Sequence, residues 1–452
     1  MTIVVAGVLL GVIYTLSPLA VVFAIWAALL MRWATRDATL TERRWIIAVM
    51  TAAVAIRVAA IALLPFTIAR GQATFTSYYG DAMYAIQRSI WIRNVFVGVP
   101  IAPADFFEAF EPVFGYSSYN FALAYFHVLF GPSPYGVALV SVGLFLTAAT
   151  LLYRRCRVAF GHFAAFVSFT ALLLLPTWIA WSVAPLKESM QVLLLVAAVE
   201  ATILIVRGRV WVRVLALGVG AIAISLSLTL RNGAGEILVG GVVAGAILYV
   251  ATRRWWLTLA MAVLLPLVTW RAVERPSIRG RIDAAVIQAA RRHIGHTFSP
   301  GAHYRLLDDR FYMIHDVPEP LTMHTDEAVR FLVRAPIALL IEPRPWAIVS
   351  PRWALVAPQQ IAWYALLILA VVGVGSGGRR DPLLTSLCIG IVGVALAIIG
   401  PNSGNIGTAM RHRDMMAPFV IALAGIGGQA VASRVAQLAG SFAMLRPAKV
   451  VS

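Results

Sequence analysis

Apolar residues run along this chain in stretches long enough to cross a bilayer, interrupted by short polar clusters. Eleven such stretches stand out, at 3–30, 46–66, 133–153, 163–181, 192–206, 210–230, 237–250, 256–270, 361–374, 383–399 and 415–431. A helix needs about 20 apolar residues to cross roughly 30 Å of hydrocarbon, so the shorter stretches must extend into their flanks. Inside lipid every backbone polar group has to be satisfied within the segment, which makes helices the spanning element this pattern predicts. The predicted fold class is an all-α polytopic membrane protein of about 11 transmembrane helices, with interfacial helices in a large first outward loop.

Arginine and lysine gather in alternate connections, and short loops retain these residues on the cytoplasmic side. Arg32, Arg36, Arg43 and Arg44 follow the first stretch, Arg154, Arg155 and Arg157 the third, and Arg207, Arg209 and Arg213 the fifth. Arg253 with Arg254, Arg379 with Arg380, and a tail holding Arg434, Arg446 and Lys449 continue the alternation. This places the N-terminus outside and the C-terminus inside a cytoplasmic membrane. It also requires 116–130 to lie along the interface, because a span there would throw Arg154 and Arg155 outside. The organisation that follows is N-terminal spans at 1–66, an outward loop with interfacial helices at 67–132 and a central bundle at 133–270. A second large outward loop at 271–358, with an interfacial or re-entrant segment, precedes C-terminal spans and a cytoplasmic tail at 359–452.

Composition agrees with this class: 60% of the 452 residues are hydrophobic, 13% are charged and the mean hydropathy is +0.84. A net charge of +17 would suit nucleic acid in a soluble chain. Here much of the excess sits in short cytoplasmic turns, where anionic membrane lipids are the partner and no nucleic acid is implied. Cys156 falls near a turn and Cys388 inside a span, so neither a disulfide nor a metal site is supported. The first apolar stretch lacks a basic leader and is long for a signal peptide, and reads as a retained helix.

The polar residues left unexplained collect on the outward side. Tyr79-Gly80-Asp81 precedes 82–97, where Met83, Ile86, Ile90 and Val97 follow a helical repeat with Arg88 and Arg93 on the polar side. Such a helix lies on the membrane surface, and Asp81 is placed to cap its first turn. An aspartate just outside the bilayer can equally take a proton from an acceptor hydroxyl. In the turn 181–189, Lys187 and Glu188 either pair with each other at a helix start or meet an anionic headgroup. Arg231-Asn232 has the same two readings. The segment 400–413 breaks the cytoplasmic bias by placing Arg411 and Arg413 outside, after a Gly- and Asn-rich turn containing Asn405. Backbone donors followed by planar guanidinium groups suit phosphate oxygens. Arg57 and Glu200, each inside a span, read as isolated residues serving helix packing or interfacial reach. His293, His296, His303, His315 and His324 in the loop 271–334 have no zinc-site spacing, and Asp308-Asp309 belongs to a solvated loop.

These motifs, taken in order, resemble a family. An acid in a large first outward loop, the stretch 116–125 followed by Phe130-Gly131, a span closing in Tyr153-Arg154-Arg155, the turn Ala184-Pro185-Leu186-Lys187-Glu188 and the segment from Gly404 to Arg413 look like the membrane-embedded GT-C glycosyltransferases. Bacterial aminoarabinose transferases and protein O-mannosyltransferases belong to that group, as do enzymes of polysaccharide clusters. The resemblance implies an inverting glycosyltransferase acting at the outer membrane face. Its donor would be a polyprenyl-phosphate sugar and its acceptor a glycan, lipid or protein. Asp81 is similar to the first-loop acid such enzymes use, whereas their frequent second acid is replaced by Gly80. An extra helix also precedes the family's usual first span. No cofactor is required, since a polyprenyl phosphate is already a leaving group. Expected substrate contacts are Arg411, Arg413, Lys187, His412, Tyr79, Asn405 and Arg231. A polymerase or ligase using lipid diphosphates would show similar outward arginines. A transporter would show internal repeats and polar groups at the bilayer midplane.

Overall fold

Apart from Ser17, Ser133, Leu175, Met415 and Met416, the described residues of the expected apolar stretches fall on helices. The computed structural model describes residues 7, 17–67, 79–111, 117–299, 301–313, 323–347 and 356–444; positions 3–6 and 8–16 of the first stretch, and Tyr116 and His315, lie outside these. Among the described residues the fold is all-helical, with turns and one antiparallel bridge between His303 and Asn405. The helices are α1 (Pro18–Ala34), α2 (Leu40–Leu63), α3 (Gly80–Phe96), α4 (Pro103–Phe110), α5 (Ser118–Phe130), α6 (Pro134–Phe160), α7 (His162–Leu174), α8 (Pro176–Ser182) and α9 (Lys187–Arg207). They continue as α10 (Val210–Leu230), α11 (Ala234–Arg253), α12 (Trp255–Val273), α13 (Pro276–Thr297), α14 (Thr325–Ile341), α15 (Ala357–Arg380), α16 (Pro382–Ile399), α17 (Ile406–Asp414) and α18 (Ala417–Met444).

Among the described residues eight helices are long and apolar enough to cross a membrane: those containing α2, α6, α9, α10, α11, α15, α16 and α18. The protein is therefore a polytopic membrane protein. The pair α7 and α8 passes the same test together but bends by 57°. Pro176 causes the break, because its ring removes a backbone donor and clashes with the preceding turn. Shorter apolar helices at Pro18–Ala34 and Trp256–Val268 account for the remaining expected stretches. Where α11 crosses α16, a methyl group on Gly390 would overlap the backbone of Gly241 and Gly245. Small residues here let two backbones touch, which is how apolar helices associate without a hydrophobic driving force in lipid.

Ion pairs tie together the loops that the arginine count assigns to one side. Arg154 meets Asp37 at 3.5 Å, Arg157 meets Glu42 at 3.2 Å, and Arg380 donates to the Phe160 carbonyl at 2.6 Å. Arg207 grips both oxygens of Asp381 at 2.7 Å. Alternate connections thus share one end of the bundle. Glu200 is not isolated, as its position in a span suggested: Arg155 holds its carboxylate with two nitrogens. Arg57 is a packing residue as expected, fully buried, donating to Ser182 Oγ at 2.8 Å and the Ala53 carbonyl at 3.1 Å.

At the other end α3, α4 and α5 pack on each other. Arg88, expected on a solvated face, is buried and pairs with Glu108 at 3.3 Å. The described residues of 271–358 are more helical than a solvated loop would be. His293 on α13 is buried, with Nε2 3.0 Å from Tyr312 Oη and Nδ1 2.5 Å from the Ser403 carbonyl. Tyr312 Oη accepts from the Leu306 and Leu307 backbone N–H groups, so its own proton goes to His293 Nε2 and the imidazole proton stays on Nδ1. Burial pushes the His293 pKa down to about 4, which keeps the ring neutral in this role. Of the interfacial or re-entrant segment expected at 331–346, residues 331–341 lie on α14, which carries Pro336 inside it and buries Phe331, Ala335 and Leu339.

Candidate functional site

Four separate stretches of chain deliver charged side chains to the end of the bundle opposite the Arg154 and Arg207 pairs. Asp81 stands in the first turn of α3, Lys187 and Glu188 open α9, Arg231 follows α10, and Arg411 and His412 occupy the last turn of α17. The local chain makes each placement. The Pro176 bend and the non-helical turn 183–186 lead the chain into α9, whose first turn buries Glu188, Ser189 and Met190. Gly233 takes φ +87°, a left-handed conformation that glycine adopts without strain, and this folds Arg231 back over the bundle. Asn405 caps α17, accepting from the Gly407 and Thr408 N–H groups at 2.9 and 3.3 Å.

Glu188 is the hub. Its side chain is 0% exposed, and its Oε1 accepts from Arg411 Nε at 2.7 Å and Arg231 Nη1 at 3.2 Å. A carboxylate in the first turn of a helix also gains from the helix dipole. Arg411 reaches further, donating through Nη1 to Asp81 Oδ2 at 2.5 Å. Asp81 is the solvent-facing member, with its side chain 68% exposed. Arg231 Nη2 lies 2.5 Å from His412 Nε2. Lys187, half-buried, makes no ion pair among the described residues, and its ammonium lies within electrostatic reach of Arg231, Glu188, Asp81 and Arg411. Three cations face two carboxylates here, which leaves one positive charge over.

The electrostatics follow from this geometry. Burial opposes ionisation of Asp81, but the neighbouring Arg411 guanidinium outweighs it and holds the carboxyl below the usual carboxylate range. Burial likewise works against charge on Arg411, and Glu188 and Asp81 together overcome it, so its pKa is raised. His412 is driven well below the ordinary imidazole value, first by burial and then by Arg231 and Arg411. It is therefore neutral, and its Nε2 accepts the Arg231 proton.

The structure brings together Asp81, Lys187, Arg231, Arg411 and His412, and it departs from the sequence reading at several points. Asp81 does not cap its helix: α3 begins at Gly80, its cap position is Tyr79 without a side-chain bond, and Asp81 is turned to Arg411. Lys187 and Glu188 do not pair with each other, since adjacent helix residues point about 100° apart. Arg413 is not in the cluster. Two positions on from Arg411 it faces the opposite side of α17, 1% exposed, donating to the Glu342 carbonyl and Gln360 Oε1, both at 3.1 Å, over the Trp363 ring. Asn405 spends its side-chain oxygen on the cap, so the Gly407 and Thr408 donors are occupied and do not face a ligand. Tyr79 packs edge-on against Trp181 at 6.4 Å, next to the cluster.

Two contributors were not singled out from the sequence as site residues. Glu188 was read only as a partner for Lys187. Asp414 is buried at the end of α17, accepts from Trp181 Nε1 at 3.1 Å, and through Trp181 supports Tyr79 at the start of the Asp81 helix. Burial pushes its carboxyl up to about 6, against the pull of Arg413. Among the described residues no three His, Cys, Asp or Glu side chains are grouped to hold a metal ion, and Cys156 and Cys388 are free and buried. Comparison with protein-family models, curated proteins and solved structures finds no match. The functional reading therefore stands on the site itself: a cationic group suited to an oxyanion, with one carboxylate at its solvent edge.

Proposed function

We propose that this protein is an inverting glycosyltransferase of the GT-C type. In this reading it moves a sugar from a polyprenyl-phosphate donor to a glycan, lipid or protein acceptor at the outer face of the cytoplasmic membrane. The observation that supports it is Arg411, which links the exposed Asp81 to the buried Glu188 while Arg231 and Lys187 stand beside it. If the bent pair and the two shorter apolar helices also cross, the crossings number eleven, and by the positive-inside bias the cluster would then face outward and the arginine-rich turns inward.

The donor phosphate would be held by charge-assisted bonds from Arg411 and Arg231, with Lys187 completing its neutralisation. Glu188 fixes both guanidinium groups in place before the ligand arrives, so little reorganisation accompanies the reaction. As the acceptor oxygen attacks the anomeric carbon, the carbon–oxygen bond to phosphate breaks and its electron pair leaves on the phosphate. The acceptor's proton passes to Asp81. While Arg411 holds Asp81, that carboxylate is a weak base; phosphate oxygens competing for the same guanidinium release it. Donor binding thus comes first and switches the base on.

The test is sugar transfer in proteoliposomes supplied with radiolabelled polyprenyl-phosphate sugars and a panel of acceptors. Asp81→Asn should slow transfer by about 10²- to 10⁴-fold, the usual worth of a general base, while leaving donor binding intact. Arg411→Ala should lose donor binding as well. Transfer at the parent rate by Asp81→Asn would remove the proposal.

A further inference from the structure

Immediately inside the arginine pair, α9 carries buried hydrogen-bonding atoms with no partner on any other described residue: Glu188 Oε2, whose carboxylate is also met by its own backbone N–H, and both Oε1 and Nε2 of Gln191. Neither residue reaches solvent, Glu188 being 0% and Gln191 1% exposed. Three positions apart on one helix, they share a face, with Gln191 about 4.5 Å further along the axis toward the membrane interior. A side-chain amide can make four hydrogen bonds. Leaving it buried with none carries its full desolvation penalty, and leucine at this place would avoid that penalty. A glutamine that served helix association would be bonded across to a neighbour. Gln191 is not, and it lies past the first turn, so it caps nothing.

The chemistry of these atoms narrows the ligand. The carboxylate oxygen and the amide oxygen only accept, and the amide nitrogen only donates. A second phosphate would meet two acceptors, one of them a carboxylate whose two arginines are already engaged on its other oxygen, and an isoprenoid tail would leave all three atoms unsatisfied. Neighbouring hydroxyl groups, each able to donate and accept, complement the set. We propose that Glu188 Oε2 and the Gln191 amide form a subsite for the hydroxyl groups of a saccharide ring, beneath the phosphate-binding arginines. The inference rests on the reading of those arginines as a polyprenyl-phosphate site. Glu188 then has two roles on two oxygens, with Oε1 orienting guanidinium groups and Oε2 meeting the sugar.

The test compares purified parent and Gln191→Leu proteins in lipid nanodiscs by thermal unfolding and ligand titration. The probes are polyprenyl phosphate and its mannosyl, glucosyl and arabinosyl derivatives. Without ligand, Gln191→Leu should unfold at a higher temperature than the parent, because an orphaned amide has been removed. It should bind bare polyprenyl phosphate as the parent does, and should lose at least tenfold in affinity for whichever glycosylated lipid the parent prefers. Gln191→Met serves in the same way should the leucine variant express poorly. A lower unfolding temperature without ligand, or unchanged affinity for the glycosylated lipid, overturns the subsite and leaves the arginine site standing. If neither bare nor glycosylated lipid binds the parent, the arginine site fails and the subsite falls with it.

Discussion

Asp81 and Glu188 share one guanidinium yet stand in different surroundings, and that difference assigns their tasks. Glu188, fully buried between Arg231 and Arg411, cannot be neutralised without stranding two cations, so it acts as a fixed anchor. Asp81, largely exposed, can exchange Arg411 for another partner at little cost. The third carboxylate, Asp414, behaves oppositely to Asp81. Burial pushes its carboxyl up to about 6, above the ordinary aspartate value of 3.8, so its protonated form favours the fold. That stability is fully present below 3.8 and is lost as pH rises through about 6. Asp414→Asn should abolish this part of the pH dependence while an oxygen remains to accept from Trp181. Thermal unfolding of parent and variant between roughly pH 4 and 7 checks this: the stability of the parent relative to the variant should fall across the window, a difference in which the opposite contribution of His293, depressed to about 4, cancels.

At the level of elements, the short helix α17 separates two arginines that look like a pair in the sequence. Successive helix residues turn by about 100°, so positions 411 and 413 point about 200° apart. Arg411 joins the charged cluster and Arg413 fastens α17 to Glu342 and Gln360. Arg413→Ala should therefore lower the unfolding temperature, at a cost of about 1–3 kcal/mol from acceptors left buried and unpaired. Its affinity for polyprenyl phosphate should stay within about threefold of the parent. Collapse of that affinity, as expected for Arg411→Ala, would place Arg413 in the site after all. The apolar stretches were legible because hydrocarbon imposes a single solution on the backbone. The facing of 406–414 is not legible in the same way, because its Gly- and Asn-rich start reads as a turn, to which no helical phase applies. Glu200 and Glu188 looked isolated or self-paired for a related reason: their partners Arg155, Arg231 and Arg411 lie 43 to 223 positions away. No local pattern reveals such distances.

Across the whole molecule, the two ends of the bundle carry different kinds of charge arrangement. One end is stitched by Arg154 with Asp37, Arg157 with Glu42 and Arg207 with Asp381, pairs that hold neighbouring spans in register. The other gathers Asp81, Glu188, Lys187, Arg231 and Arg411, drawn from four stretches of chain, with cations in excess. The alternation of basic loops was enough to foresee that these groups share an end. It could not foresee that Glu188 would hold them together, because that depends on the Pro176 bend and the buried turn 183–186.

Sidedness tests this account most directly. Single cysteines at Gly80→Cys, where an added side chain meets nothing within 4 Å, Thr408→Cys and Asp37→Cys can be placed in a background lacking Cys156 and Cys388. Intact cells are then treated with a membrane-impermeant maleimide. The account predicts that positions 80 and 408 are labelled from outside and that position 37 is labelled only after permeabilisation. Labelling of 80 and 408 from opposite sides of the membrane would contradict it.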